Sequence, residues 1–113
     1  MAERRMFSKT LIESDRFLEL PDKAKLLYFY LVMNADDDGF IGNTKSIIRA
    51  HGYNKTTLES LIESGYVMRI SENITVIRHW RMQNKVRSDR YVPTVYTDER
   101  EQLLTDNQGV YRM

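Results

Sequence analysis

The residues best suited to chemistry in this sequence are the cations of a basic segment, residues 78–91. The segment holds five cations and one acid, Asp89, whereas the whole chain has a net charge of only +1. Trp80 and Tyr91 stand among these cations. Because guanidinium and ammonium groups neutralise phosphates, such a segment is a candidate contact for nucleic acid. Its cations are Arg78, Arg81, Lys85, Arg87 and Arg90.

A structural role for the basic segment is the alternative. It would then be a solvated connector, with Trp80 in the hydrophobic core and Asp89 paired with a neighbouring arginine. A smaller basic cluster near the N-terminus consists of Arg4, Arg5 and Lys9. These cations could reach DNA, but a frayed basic terminus explains them equally well.

The acidic run Asp36-Asp37-Asp38, followed by Gly39, predicts a sharp turn. Together with Asn34 it also matches the first half of an EF-hand calcium loop. That loop ends on a bidentate carboxylate, and this chain has Lys45 at the corresponding position. We therefore expect no metal here, but a solvated turn whose acids cap backbone donors or pair with nearby lysines.

The sequence contains no recognisable set of catalytic residues. There is no cysteine, and neither His51 nor His79 has a carboxylate partner at ligand spacing on a helix. The five glycines fit turns and helix ends rather than a phosphate-binding loop. We therefore expect no enzymatic activity, no cofactor and no bound metal.

Apolar spacing and capping residues predict helices in the first half of the chain. Ser14-Asp15 begins a short helix, and Pro21 precedes a long one over residues 22–34. The long helix is apolar on nearly every side, which predicts the centre of the core. The alternative is that a partner chain buries one face of it, including Tyr28 and Tyr30.

Further along, Phe40-Ile41 predicts a very short strand and residues 44–51 predict another helix. The next helix begins at Asn54 or Thr56, and Thr56 with Glu59 matches a capping box. The apolar spacing then changes to that of strands, which predicts a β-hairpin over the next segments, residues 66–70 and 74–78.

The loop of this hairpin is Ser71-Glu72-Asn73. Three-residue hairpin loops place a left-handed residue at their third position, and asparagine tolerates that conformation. Near the end of the chain, residues 97–104 predict a short terminal helix.

This order of elements predicts an α+β domain of the winged helix-turn-helix type, with three core helices plus a β-hairpin wing. The second helix of a helix-turn-helix enters the major groove of DNA. Glu59 and Glu63 on that helix are unfavourable near phosphate, so its N-terminal end is the better contact. The hairpin loop has no cation, which leaves Arg69 as the wing contact. The candidate contacts on the helix are Lys55, Thr56, Thr57 and Ser60.

Four motifs in order along the chain resemble a known family: residues 4–10, 34–40, 78–82 and 89–94. They are similar to the N-terminal domain of phage replisome organisers, which are related to the DnaD-like primosome proteins of low-GC Gram-positive bacteria and their phages. The resemblance covers about residues 4–96. It implies a winged helix that binds double-stranded origin DNA and helps to recruit a helicase loader and helicase. It also implies that a second domain is missing from this chain.

The expected organisation is a winged-helix DNA-binding domain, residues 1–96, and a C-terminal extension or start of a linker, residues 97–113. The N-terminus has no apolar run typical of a signal peptide, and the apolar stretch over residues 26–33 is too short to span a bilayer. We therefore expect a cytoplasmic protein with no membrane partner.

Three functions fit these observations. The first is sequence-preferring binding of duplex DNA at a replication origin. The second is a protein-interaction module of the primosome that forms a homo-oligomer or holds a helicase loader, which the near-neutral charge favours. The third is a transcriptional regulator, which would share the fold and bind an operator as a symmetric dimer.

Overall fold

The computed structural model describes residues 4–113, which form an α+β domain with short helices and a small antiparallel sheet. The helices are α1 (Lys9–Ile12), α2 (Asp15–Leu18), α3 (Asp22–Asn34), α4 (Thr44–Ala50), α5 (Lys55–Glu63), α6 (Trp80–Gln83) and α7 (Thr97–Glu101). The strands are β1 (Phe40–Ile41), β2 (Val67–Arg69), β3 (Thr75–Ile77), β4 (Leu104–Thr105) and β5 (Tyr111–Arg112).

Side-chain caps fix where two of the helices begin. The Ser14 hydroxyl accepts a hydrogen bond from the N–H of Phe17, so the predicted start of α2 is confirmed. The Asn54 Oδ1 accepts a bond from the N–H of Thr57 at 3.1 Å, which makes Asn54 the start of α5. Thr56 lies inside α5, so the predicted capping box was wrong.

Helix α3 is the central helix, as its apolar composition predicted. Tyr28 is fully buried inside the domain, so no partner chain is needed to cover it, and its hydroxyl accepts a bond from Gln83. Burial raises the pKa of Tyr28 to about 12. The opposite face carries Leu26, Tyr30 and Met33, which remain exposed. No helix within residues 4–113 has the length and apolarity needed to cross a membrane.

The main sheet has the strand order β1-β3-β2, and both pairings are antiparallel. Val67 pairs with Ile77 and Arg69 with Thr75, so the predicted hairpin is confirmed. The predicted short strand is β1, whose Phe40 pairs with Val76. Every residue of β3 is buried, because this strand lies between the other two and faces the helices.

Asn73 in the hairpin loop is a helix cap and not the predicted left-handed residue. Among residues 4–113, only glycines have positive φ. The Asn73 Oδ1 accepts a bond from the N–H of Lys45 at 3.0 Å, and its Nδ2 donates to the carbonyl of Gly42 at 3.2 Å. The side chain of Asn43, the residue that precedes α4, makes no capping hydrogen bond. Asn73 supplies this acceptor instead, and the bond holds the loop against the start of the helix.

The acidic turn is not solvated, which corrects the prediction made for it. Asp37 and Asp38 are each only 1% exposed. Asp36 does cap backbone donors as expected, because its Oδ1 accepts bonds from the N–H groups of Asp38 and Phe40. The buried pair faces arginines rather than the expected lysines, since guanidinium groups offer several donors to a carboxylate.

Asp37 holds the N-terminal arm and the segment after α6. Its Oδ1 is 3.2 Å from the guanidinium of Arg5, and its Oδ2 accepts a bond from the N–H of Val92 at 3.0 Å. Its backbone carbonyl accepts a bond from the Trp80 indole N–H at 2.9 Å. The Arg5 guanidinium also lies over the Trp80 ring, 5.0 Å from its centroid.

Asp38 accepts hydrogen bonds from three separate parts of the chain. Its Oδ1 is 2.7 Å from Arg81, and its Oδ2 accepts a bond from the N–H of Thr94 at 2.8 Å. The Tyr91 hydroxyl lies 2.7 Å from the carboxylate, and the Tyr111 hydroxyl donates to the backbone carbonyl at 2.7 Å. We call Asp37, Asp38 and these partners the aspartate hub.

Residues 97–113, expected to be an extension or the start of a linker, pack against the same core. Leu103, Val110 and Tyr111 are buried, and the N–H of Tyr111 donates to the carbonyl of Arg78 at 2.8 Å. The predicted terminal helix is shorter than expected, because it ends at Glu101 and a small hairpin of β4 and β5 follows.

Gly39→Ala should destabilise the domain by about 3 kcal/mol, measured by urea unfolding. Gly39 has a φ of +88°, and a Cβ there would lie 2.6 Å from the Cγ of the buried Trp80. Left-handed strain and overpacking therefore add. Gly52→Ala is the matched control, because Gly52 has a φ of +73° but no atom beyond those of its chain neighbours lies within 4 Å of its Cβ position. A loss of about 1–2 kcal/mol is expected from strain alone, and equal losses for the two variants would contradict this account.

Asp38→Asn should lower the free energy of unfolding by about 3 kcal/mol. One carboxylate oxygen becomes an NH₂ group that faces donors, either Arg81 and Tyr91 or the N–H of Thr94. Asp36→Asn is the control, since only the Oδ1 of Asp36 accepts bonds and an amide oxygen can replace it. We expect less than about 1 kcal/mol for that change. Limited proteolysis near Tyr91 should accelerate in the first variant alone.

Candidate nucleic-acid interface

The cations of the basic segment differ in their partners and in their exposure. Arg81 belongs to the aspartate hub, where it is bonded to Asp38 and lies over the Tyr91 ring, 5.8 Å from its centroid. Trp80 is fully buried, which confirms the structural interpretation for that residue. Because the carboxylate that pairs with Arg81 is itself buried, a phosphate cannot replace it, and Arg81 is not part of the candidate interface.

Arg78 lies at the other end of the hairpin from the loop. Its guanidinium and that of Arg16 are both within 4 Å of the position that a Cβ on Gly65 would occupy, just beyond the end of α5. Next to Arg78, the half-buried His79 has an Nδ1 without a hydrogen-bond partner among the described residues. Burial, reinforced by the charges of Arg78 and Arg16, lowers the pKa of His79 to about 4.

The remaining cations of the basic segment are exposed. Lys85 and Arg90 form no ion pair within residues 4–113, while Arg87 is 3.2 Å from Asp89, as the structural interpretation suggested for an arginine. Both members of that pair are well exposed, so water screens the interaction strongly. These three cations lie on one loop and stay accessible to an anion.

The cations of the N-terminal basic cluster also differ in their burial and in their partners. Arg5 is buried in the aspartate hub, and its guanidinium also donates to the carbonyl of Ala35 at 2.7 Å. Arg4 and Lys9 are exposed. The expectation of a frayed terminus was therefore wrong for Arg5, because Asp37 holds it.

Of the contacts predicted on α5, some are accessible to solvent and one, Thr57, is buried. Lys55 and Thr56 are exposed on its first turn, and Ser60 is half-buried, with its hydroxyl donating to the carbonyl of Thr56. Thr57 was expected on the exposed face, but it is 8% exposed and its hydroxyl bonds to Asn54. Because the cap at Asn54 turns Thr57 inward, that side chain cannot contact a base.

The structure gathers four cations around one groove between α4, the start of α5 and the hairpin. The groove has a volume of about 500 Å³. Tyr53 and Asn54, from the turn between the two helices, line its wall, and Ile48 and Leu58 line its floor. We call this the α4–hairpin groove; its cations are Lys45, Arg49, Lys55 and Arg69.

Two of these four cations were missed in the sequence. Lys45 and Arg49 are four residues apart, so they lie on the same side of α4. That spacing was a usable signal, but only the fold shows that this side of α4 faces Lys55 and Arg69. The hairpin loop supplies Glu72, the one carboxylate in the lining.

Exposed ion pairs link the hairpin to both helices across the groove. Lys45 Nζ is 2.8 Å from Glu72, and the Arg69 guanidinium is 2.7 Å from Glu59 on α5. The bond and charge from Lys45 lower the pKa of Glu72. The Lys45–Glu72 pair is open to solvent and the Arg69–Glu59 pair is partly exposed, and ion pairs that water reaches are weak, so a phosphate can displace the carboxylates. Arg49 and Lys55 form no ion pair within the described chain and are available directly.

This arrangement suits the recognition of phosphates beside an apolar floor. Cations on two helices and a strand can contact successive phosphates, and the first turn of α5 carries donors for a base edge. Residues 4–113 contain no group of three His, Asp or Glu side chains that could hold a metal ion. Comparisons of the chain with protein-family models, with curated proteins and with solved structures found no match.

Low pH should destabilise the domain through His79. The folded state keeps this imidazole neutral down to a pKa of about 4, while the unfolded chain takes up a proton near a pH of about 6.5. The unfolded state therefore binds more protons between these values, and stability falls as the pH decreases through that window. The neighbouring Asp106 opposes the effect only in part.

Melting temperatures of wild type and His79→Leu, taken between a pH of about 7 and a pH of about 4.5, test this expectation. The wild type should lose more stability than the variant across that range. Parallel curves for wild type and His79→Leu would show that His79 does not titrate as stated.

Proposed function

We propose that this chain is a winged-helix domain that binds double-stranded DNA through the α4–hairpin groove. The observation that carries the proposal is the convergence of Lys45, Arg49, Lys55 and Arg69 on one groove, although the chain as a whole is almost neutral. Non-specific affinity for DNA depends on such a local concentration of cations and not on net charge.

The element order supports the winged-helix assignment. Helices α3, α4 and α5 form the three-helix part, with β1 between the first two, and the hairpin of β2 and β3 follows. Strand β1 joins the hairpin by pairing with β3. In this architecture α5 is the recognition helix and the hairpin is the wing. Both border the groove, so one duplex can contact them together.

Docking through the N-terminal end of α5 fits the distribution of charge. Lys55 and Thr56 are on the exposed first turn, whereas Glu63 is the last residue of the helix. A duplex that approaches the first turn meets Arg49 and Lys45 of α4 and stays distant from Glu63. The cations Lys85, Arg87 and Arg90 are exposed, so they are available as secondary contacts to the backbone of the DNA.

The resemblance to phage replisome organisers supports a role in replication initiation. On this proposal the DNA is a replication origin, and the bound domain helps to recruit a helicase loader and helicase. A transcriptional regulator would have the same fold and would bind a different DNA site. Binding of a symmetric dimer to an operator would distinguish that function from replication initiation.

A protein-interaction module is the second candidate function. Leu26 and Met33 on α3 are about half exposed, at 49% and 50%. Exposed apolar side chains on one helix face are a feature of interfaces. This function requires self-association or a protein partner, and the groove cations would then have no role in it.

Reversing two groove charges, Arg49→Glu with Lys55→Glu, should weaken binding to every duplex sequence. Each lost phosphate contact lowers the slope of log affinity against log salt by about 0.9, so the slope should fall by about 2. Fluorescence anisotropy with labelled duplexes, at salt concentrations between about 50 and 200 mM, measures both quantities. Reversal of Arg87 and Arg90 should have a smaller effect in the same direction.

Lys23→Glu with Arg112→Glu is the matched control, because it makes the same change of charge at exposed positions outside the groove and outside both basic clusters. An equal loss of affinity for the control would mean that net charge and not the groove determines binding. Unchanged affinity in the groove variant would reject the proposal. A stable oligomer in light scattering, with no affinity for DNA, would support the second candidate instead.

A further inference from the structure

Three aromatic rings lie in a row beside the groove, and two of them are exposed. The His51 ring stacks on Tyr30, with centroids 3.7 Å apart and planes 17° apart. On the other side, the Tyr53 ring is 6.4 Å from His51 and tilted by 28°. We call Tyr30, His51 and Tyr53 the aromatic strip; it runs from α3, past the end of α4, to the turn before α5.

The strip is accessible and joins the groove at one end. Tyr30 is 38% exposed and His51 is exposed, whereas Tyr53 is half-buried and lines the groove wall. Gly52 separates His51 from Tyr53 in the chain, and no atom beyond those of its two neighbours lies within 4 Å of the position where its Cβ would be. The backbone beside these two rings is therefore not covered by another segment of the described chain.

Two of the groove cations are close in sequence to the rings of the aromatic strip. Arg49 is two residues before His51 in the chain, is exposed and lines the groove next to Tyr53. Lys55 follows Tyr53 by two residues and is also exposed. Aromatic faces that alternate with cations match the two parts of a nucleotide, because the base stacks and the phosphate is neutralised.

We propose that the aromatic strip binds unpaired bases of a DNA strand that leaves the duplex in the α4–hairpin groove. The domain would thereby recognise the junction between paired and single-stranded DNA. Each base has a π-face, so this contact does not depend on sequence. Two of the three rings are exposed, so a base can reach them.

The inference rests on the proposed binding of duplex DNA, and one set of ligands separates the two. The probes are a blunt labelled duplex, the same duplex with a short single-stranded thymidine tail, and the duplex with an abasic tail of equal length. The readout is the ratio of the affinities for the tailed and blunt duplexes. We expect a ratio of about ten for the thymidine tail, from about one stacked base, and a ratio near one for the abasic tail.

Two variants test whether the strip is responsible. His51→Ala and Tyr30→Leu remove exposed rings, and each should reduce the ratio for the thymidine tail towards one. Leu26→Ala is the matched control, because Leu26 is an exposed apolar residue one turn before Tyr30 on the same face of α3. Its ratio should remain that of the wild type.

Each possible result supports or overturns a specific proposal. A wild type that binds the blunt duplex but ignores the thymidine tail overturns this inference and leaves the proposed function intact. A gain that persists with the abasic tail, or in His51→Ala, also overturns it. A wild type that binds no DNA rejects both proposals. A fall in molar mass on Tyr30→Leu in light scattering would assign the strip to a protein interface and overturn the inference.

Discussion

Two buried carboxylates, Asp37 and Asp38, are the constraint on which the rest of this structure depends. Isolated buried charges are strongly unfavourable, so each must be surrounded by donors. The donors come from the N-terminal arm, from α6 and from the segment after it, through Arg5, Arg81 and Thr94. Residues distant in sequence are therefore held at one turn, and the ends of the domain are fixed to its centre.

Because of the aspartate hub, some of the cations are not available to bind a ligand. Arg5 and Arg81 neutralise the carboxylates, so two members of the apparent basic clusters serve the fold. The Trp80 ring packs against Gly39 and donates its N–H to the same turn, which makes it a core residue. A count of charges along the chain overestimates the cations that a ligand can reach, because a buried carboxylate selects partners from any segment that folds against it.

The hairpin loop connects the fold to the candidate site. Asn73 caps α4, and Glu72 in the same loop pairs with Lys45 on the first turn of that helix. The loop thereby fixes the width of the α4–hairpin groove, although it contributes no cation of its own. Glu59 and Glu72 keep two groove cations oriented while no anion is bound. This explains how the groove can have both cations and carboxylates and still be suited to phosphate.

The sequence by itself determined the helices and strands of residues 14–78, because caps and apolar spacing are local signals, whereas α1 and α6 were not predicted. Asn54 and the alternation around Val67 act within a few residues of themselves. It could not determine the burial of Asp37, the inward turn of Thr57 or the position of Lys45 opposite Arg69, nor the packing of residues 97–113. Those features depend on contacts between segments far apart in the chain, and only the tertiary structure selects the partner of each charged or aromatic side chain. The candidate groove is of this kind, since its four cations come from three elements that the fold alone brings together.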